Sequence, residues 1–279
     1  MRIRATVAAL TGTLALSALA VPAAQADDAP KAPNLAAFTA KAPADETVGD
    51  TKITKVTVNA GKDIVVGTSA KKTVTVAVTA TDPSGIEDAT ALLWHGTKFT
   101  EDDIDGSMVP DEMTGDCKVV NATTSTCTTT VVADPNSNIY GNVLAGKWKV
   151  WTIASGKDGD FVSADSYPTS VSVKRASKLT TNASPEPVKK GKTITVTGAL
   201  TRANWDTAKY AGYTSQSVKL EFKKKGASTY STVKTVKSGS KGALKTTVTA
   251  SADGYFRYSF AGTSTTPAVT ATSDFIDVQ

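Results

Sequence analysis

Apolar and polar residues alternate with a period of two through much of this chain, and no other feature constrains its fold as strongly. Thr73-Val74-Thr75-Val76-Ala77-Val78-Thr79 alternates throughout, and Ser217-Val218-Lys219-Leu220-Glu221-Phe222-Lys223 does so most cleanly. Successive side chains of a strand point to opposite faces, so each run buries one face and wets the other. In the second run Val218, Leu220 and Phe222 face inward and the charges outward. Threonine, 44 of 279 residues, falls largely in such runs while Leu and Met are scarce, a composition of sheet rather than helix.

Further strands are expected from residue 52 onward, at 89–94, 117–120, 127–132, 148–154 and 169–174. Polar turns such as Asp82-Pro83-Ser84-Gly85 separate them. Many short strands between polar turns form the pattern of a β-sandwich. The plan repeats after the Lys189-Lys190-Gly191-Lys192 turn, with strands expected at 193–197, 217–223, 229–236, 242–249, 255–260 and 275–278. A short helix near 203–210 is the one helical expectation. The chain therefore reads as all-β, with an acidic sandwich over 52–174 and a basic sandwich over 175–279. Their cores are expected to be separate and joined between about 172 and 186.

Ahead of these units, Arg2 and Arg4 precede an apolar stretch over 7–21 and the small residues Ala24-Gln25-Ala26. That is the form of a secretory signal peptide over 1–26. Residues 27–51, rich in Ala, Pro, Asp and Lys, read as a flexible segment. No other stretch approaches the length of a membrane span, so a secreted or extracellular protein is expected, with no transmembrane segment.

Charge divides at the same boundary. Residues 27–174 carry a net −7 and residues 175–279 a net +10. Either the two surfaces are simply solvated, or the basic unit faces an anionic surface such as a wall polymer. Nucleic acid is not expected as a partner, because the lysine clusters lack a recognisable binding module and base-stacking aromatics. The candidate anionic-surface residues are Lys219, Lys223, Lys224 and Lys225.

The segment from Lys192 to Gln279 resembles the immunoglobulin-like modules of bacterial secreted and surface proteins. The resemblance rests on Gly-Lys-Thr-Ile-Thr-Val-Thr-Gly, Val-Lys-Leu-Glu-Phe, Tyr-Ser-Thr-Val-Lys-Thr-Val and the Asp253-Gly254-Tyr255-Phe256 turn. The whole chain looks like secreted actinobacterial proteins with tandem immunoglobulin-like domains. That resemblance implies an extracellular tandem architecture and no catalytic residues, and a shared fold does not carry a function with it.

Cys117 and Cys127 are the only cysteines. They flank a loop between two expected strands in a chain expected to reach an oxidising compartment, so a disulfide between them is expected. Between Glu101 and Asp116 lie seven carboxylates. Such density is explained by a solvated loop, by a shared hard cation such as Ca²⁺, or by a carboxylate pair for glycoside hydrolysis. Asp103, Asp105 and Asp111 are the candidate metal ligands, although Thr114 stands where an EF-hand needs its last glutamate. Asp158 and Asp160 form a smaller pair, read as a turn or as ligands from a neighbouring loop.

His95, the single histidine, excludes any multi-histidine metal site and is the lone base available for a Ser-His-Asp arrangement. No Gly-x-Ser-x-Gly elbow accompanies it, and it reads as a strand-end residue. Trp148 and Trp151 fall on opposite faces of one strand, which leaves one of them outside the main core and a candidate exposed aromatic. The expected function is a secreted, non-enzymatic binding or cell-surface interaction protein whose partner is a cell-wall polymer or an extracellular protein. The alternative is a secreted enzyme inhibitor or hydrolase accessory module.

Overall fold

The structure, a computed structural model, describes residues 45–279. The expected signal peptide, and residues 27–44 of the expected flexible segment, lie outside the described residues. In chain order the first strands are β1 (Glu46–Val48), β2 (Lys52–Val58), β3 (Ile64–Val66), β4 (Lys72–Thr81), β5 (Ile86–Gly96) and β6 (Ile104–Met108). They continue with β7 (Asp116–Asn121), β8 (Thr124–Ala133), β9 (Gly146–Gly156), β10 (Phe161–Ala164) and β11 (Val171–Arg175).

A four-stranded sheet in the order β2-β4-β8-β7 packs against a seven-stranded sheet made from the rest. In the larger sheet β9 pairs with β5 on one side and with β10 and β11 on the other. Val74, Val76 and Val78 of β4 are fully buried, as the alternation requires. They share a core with Ala89, Ala91, Leu93, Trp148 and Val150 from the opposite sheet. β5 breaks the alternation and is buried at every position over 89–94. Both of its faces are covered, and the apolar run Ala91-Leu92-Leu93-Trp94 is the sequence form of that situation.

The second sandwich repeats the architecture with β12 (Ser177–Leu179), β13 (Asn182–Ser184), β14 (Thr193–Asn204), β15 (Lys209–Gly212) and β16 (Ser217–Lys224). It closes with β17 (Ser231–Lys237), β18 (Ala243–Thr249), β19 (Gly254–Phe260), β20 (Val269–Thr270) and β21 (Asp274–Ile276). Strands β12, β13, β15 and β18 flank β14, while β17-β16-β19 with β20 and β21 form the facing sheet. Val218 and Leu220 meet Ile194, Val196, Leu244, Phe256 and Tyr258 in its core. The Tyr258 hydroxyl donates to the Val196 carbonyl at 3.0 Å, and burial pushes this phenol up to about 12.

Two expectations are corrected. The flexible segment does not extend to 51, because β1 pairs with β10 and Thr51 is fully buried. The helix near 203–210 is absent: β14 runs through Asn204 and the chain turns directly into β15. Among the described residues there is no α-helix, and no helix is long and apolar enough to cross a membrane.

The missing helix has a physical cause at Trp205. This residue sits in the β14–β15 turn yet is buried in the core cluster of the first sandwich, together with Ala203. Its indole nitrogen donates to the Gly67 carbonyl at 2.9 Å, and its backbone N–H donates to Asn142 Oδ1 at 3.0 Å. The Asn142 amide also bonds Asn204 at 2.8 Å and Asp206. A helix over these residues would pull the indole out of that socket. Arg175, at the crossing between the sandwiches, is buried and donates through Nε to the Ala203 carbonyl at 2.6 Å; burial brings its guanidinium down to about 10.

Candidate functional site

The acidic segment expected to be a loop is a cover. Between β5 and β7 the chain crosses the outer face of the seven-stranded sheet, where Phe99, Ile104, Val109 and Met113 pack on Leu92, Trp94 and Trp151. Phe99 stacks on Trp151 with ring centroids 6.2 Å apart and meets Trp94 edge-on at 5.3 Å. Trp148 and Trp151 do take opposite faces, but both are buried, so the expected exposed aromatic is absent here.

The carboxylates of this cover fasten it. Asp103 accepts hydrogen bonds from the hydroxyls of Thr97 at 2.6 Å and Thr100 at 2.9 Å, which hold its carboxyl below the usual range. Asp105 meets His95 Nδ1 at 2.5 Å, and Tyr140 donates to the Asp105 carbonyl at 2.7 Å. His95 thus ties its strand to the cover and lies over Trp148 at 5.7 Å. Asp111 stands apart, in a groove beside the end of β8. Asp103, Asp105 and Asp111 are therefore not brought together.

A different trio is. Among the described residues, Asp50, Asp82 and Asp160 have carboxylate oxygens within 4.8 Å of one another. Asp82 is buried, accepting from Thr51 at 2.5 Å and from the Ser84 hydroxyl and N–H at 2.6 and 2.7 Å. The Ser84 and Thr51 hydroxyls hold its carboxyl below the usual range. Asp160 accepts the Asp50 N–H at 3.0 Å. Glycines make the room: a Cβ at Gly49 would overlap the Asp160 carboxylate, and one at Gly156 would overlap that of Asp82. The sequence reading kept Asp160 in view but missed Asp50 and Asp82. Gly49-Asp50 and the Gly156 to Asp160 stretch were the available signal, glycine flanking aspartate on segments distant in sequence.

Cys117 and Cys127 form the expected disulfide across the β7–β8 pair.

On the second sandwich, no segment among the described residues crosses the outer face of the β17-β16-β19 sheet. Register places Lys223 beside Tyr255 and Tyr255 beside Phe275, a row crossing β16, β19 and β21. Lys223 Nζ lies 5.2 Å from the Tyr230 ring centre and 5.1 Å from that of Tyr255, while Arg257 covers Tyr230 at 3.6 Å. Arg257 pairs with Glu221 at 2.7 Å, and Lys225 pairs with Asp253 at 3.4 Å while lying 5.5 Å over Phe275. Donation from the Val278 N–H, with Lys225 adding to it, holds the Asp253 carboxyl below the usual range. Lys219 shares the face, opposite Ser259. Lys224 does not, since alternation turns it the other way. Three of the four expected lysines are thus gathered, joined by aromatics that the sequence reading assigned to strands without placing them on this face.

Residues 59–154, within the first sandwich, match the model of a family of unknown function (DUF5707). No curated protein matches the chain. Among solved structures, the fibronectin(III)-like modules of Clostridium thermocellum CbhA are 11% identical with a TM-score of 0.32, covering 80% of this chain and 93% of that one. The Escherichia coli adhesin FdeC is 15% identical with a TM-score of 0.31, covering 82% and 66%. Latent PorU from Porphyromonas gingivalis is 11% identical with a TM-score of 0.28; 82% of this chain spans only 20% of that protein.

Proposed function

We propose that this is a non-catalytic extracellular binding protein that holds an anionic, sugar-containing wall polymer on the bare outer face of its second sandwich. The observation that carries the reading is the row of Lys223, Tyr255 and Phe275 with Lys219, Lys225 and Arg257 around it. Aromatic rings take the apolar faces of sugars, and ammonium groups take phosphate or carboxylate. Among the described residues, Arg257 and Lys225 are the cations of this face with carboxylate partners, which leaves Lys219 and Lys223 available. The acidic 52–174 unit and the basic 175–279 unit then have separate roles, the first as a scaffold and the second as the binding surface.

Retention of the full secreted chain on purified cell walls tests this. Binding through ammonium groups should weaken steeply between roughly 50 and 300 mM salt, as the Debye length shortens. Replacing Lys219 and Lys223 by alanine should lower retention by roughly tenfold at low salt without changing the melting temperature. Equal retention on wall stripped of anionic polymer, or indifference to salt, would reject the reading.

Asp50, Asp82 and Asp160 belong to the proposal as a site for a hard divalent cation such as Ca²⁺, which favours several oxygen ligands. Such an ion would tie β1 to the sandwich end. Calcium should then raise the melting temperature of the wild type but not of Asp160→Asn.

A further inference from the structure

Among the described residues, the four-stranded sheet is incomplete along one edge. On one side β8 pairs with β4 over its whole length, but on the other β7 reaches only from Thr124 to Thr128. Farther along, the Asn138 side chain stands in for a strand, donating to the Val132 carbonyl at 2.7 Å and accepting the Asp134 N–H at 2.8 Å. Alternate residues of a strand direct their backbone groups to the same edge. Thr130, two residues before Val132, therefore turns its N–H and C=O into the gap between Asp116 and Asn138.

A groove of about 810 Å³ lies over that gap. Asp111, Glu112, Asp116 and Asp134 line it against one cation, Lys71, which is already paired with Asp134 at 3.1 Å. Thr129 also lines it; this side chain is 3% exposed and its hydroxyl has no hydrogen-bond partner among the described residues. An unbonded buried hydroxyl, an open strand edge and a surplus of carboxylates coincide in one place. The edge calls for a polypeptide backbone and the carboxylates for positive side chains, while the Thr129 hydroxyl, on the core-facing side of β8 with Cys127 and Val131, adds only an unmet hydrogen bond at the groove's floor.

We infer that this notch takes an extended basic segment of a partner protein, which adds a short strand to β8 beyond the end of β7. Backbone hydrogen bonds to Thr130 supply the register, and lysine or arginine side chains meet Asp111, Glu112 and Asp116. The notch is closed at both ends, by β7 and by Asn138, so a free peptide reaches its floor where the edge of a second folded copy is held off. The site lies on the first sandwich and stands whether or not the wall-polymer reading holds.

The test uses the full chain and a fluorescein-labelled probe peptide of alternating lysine and β-branched residues, followed by anisotropy and by amide exchange. Saturable binding is expected, with slowed exchange at the Thr130 amide. A probe N-methylated at alternate backbone positions should bind roughly tenfold more weakly, because strand hydrogen bonds are lost while charge is kept. Asp111→Asn with Glu112→Gln, both exposed positions, should weaken binding to a similar degree at unchanged melting temperature. Equal binding of the N-methylated probe would reduce the site to charge adsorption and overturn the inference. So would no binding at millimolar probe, or sedimentation showing that the Asp111 and Glu112 changes abolish self-association instead.

Discussion

The two sandwiches share an architecture and differ in what lies on the outer face of one sheet. In the first, the segment between β5 and β7 folds over that face and buries Trp94 and Trp151, its carboxylates serving as fasteners through Thr97, Thr100 and His95. In the second, no described segment crosses the corresponding kind of surface, and half-buried aromatic rings share it with cations. Aromatic residues in a strand thus say little by themselves about binding. Whether another segment covers them decides whether they stabilise the fold or meet a ligand.

Removing an aromatic from each face should break or sharpen that contrast most. Trp151→Ala should cost about 3–5 kcal/mol, the range for emptying a buried tryptophan site, measured by denaturant unfolding. Tyr255→Ala should leave stability nearly unchanged and instead reduce retention on wall polymer. A large stability loss for Tyr255→Ala would mean that its face is structural after all. Trp205→Ala should resemble Trp151→Ala in size and, in addition, open the segment around 172–186 to limited proteolysis, since this indole joins the second sandwich to the first core.

Smaller effects separate the two cores. Replacing both cysteines by serine should cost roughly 2–3 kcal/mol, by loosening the β7–β8 loop in the unfolded chain, and should leave the second sandwich untouched. Tyr258→Phe should cost about 1 kcal/mol through loss of its buried hydrogen bond. Because the folded phenol titrates near 12, above its ordinary value of 10.0, its contribution is full below pH 10 and is lost as pH rises through the folded value. The Phe variant should lack that alkaline loss in a melting-temperature series.

The smallest expected effect is acidic. The Asp82 and Asp103 carboxyls are held below 3.8 by threonine and serine hydroxyls, so their contribution is present above that value and fades as pH falls through the folded ones. Asp103→Asn should flatten the acid limb of a melting-temperature series for the first sandwich alone.

Strand by strand, much of this architecture was legible. The alternation at 73–79 and 217–223 placed β4 and β16 and the side each buries, and 89–94 was legible as a strand, though not as one covered on both faces. Period two reports a strand's own faces. It carries nothing about a distant segment lying across one of them, so the burial of Trp151 under Phe99 was not readable. Asp50 and Asp160 are 110 residues apart, and Trp205 and Gly67 are 138 apart. Contacts at such separations leave no local period, and the residues involved look like ordinary turn and tether positions. Of the anionic-surface residues, Lys219 and Lys223 followed from alternation, whereas Lys225 reaches the face only because Asp253 and Phe275 hold it there.

Lysine acetylation footprinting of the full chain, with and without soluble anionic wall polymer and read by mass spectrometry, tests the central claim most directly. The account expects Lys219, Lys223 and Lys225 to be protected by polymer, while Lys245 on the opposite sheet and Lys118 on β7 react as before. Protection spread evenly over all lysines, or concentrated on the first sandwich, would contradict a binding surface on the uncovered face.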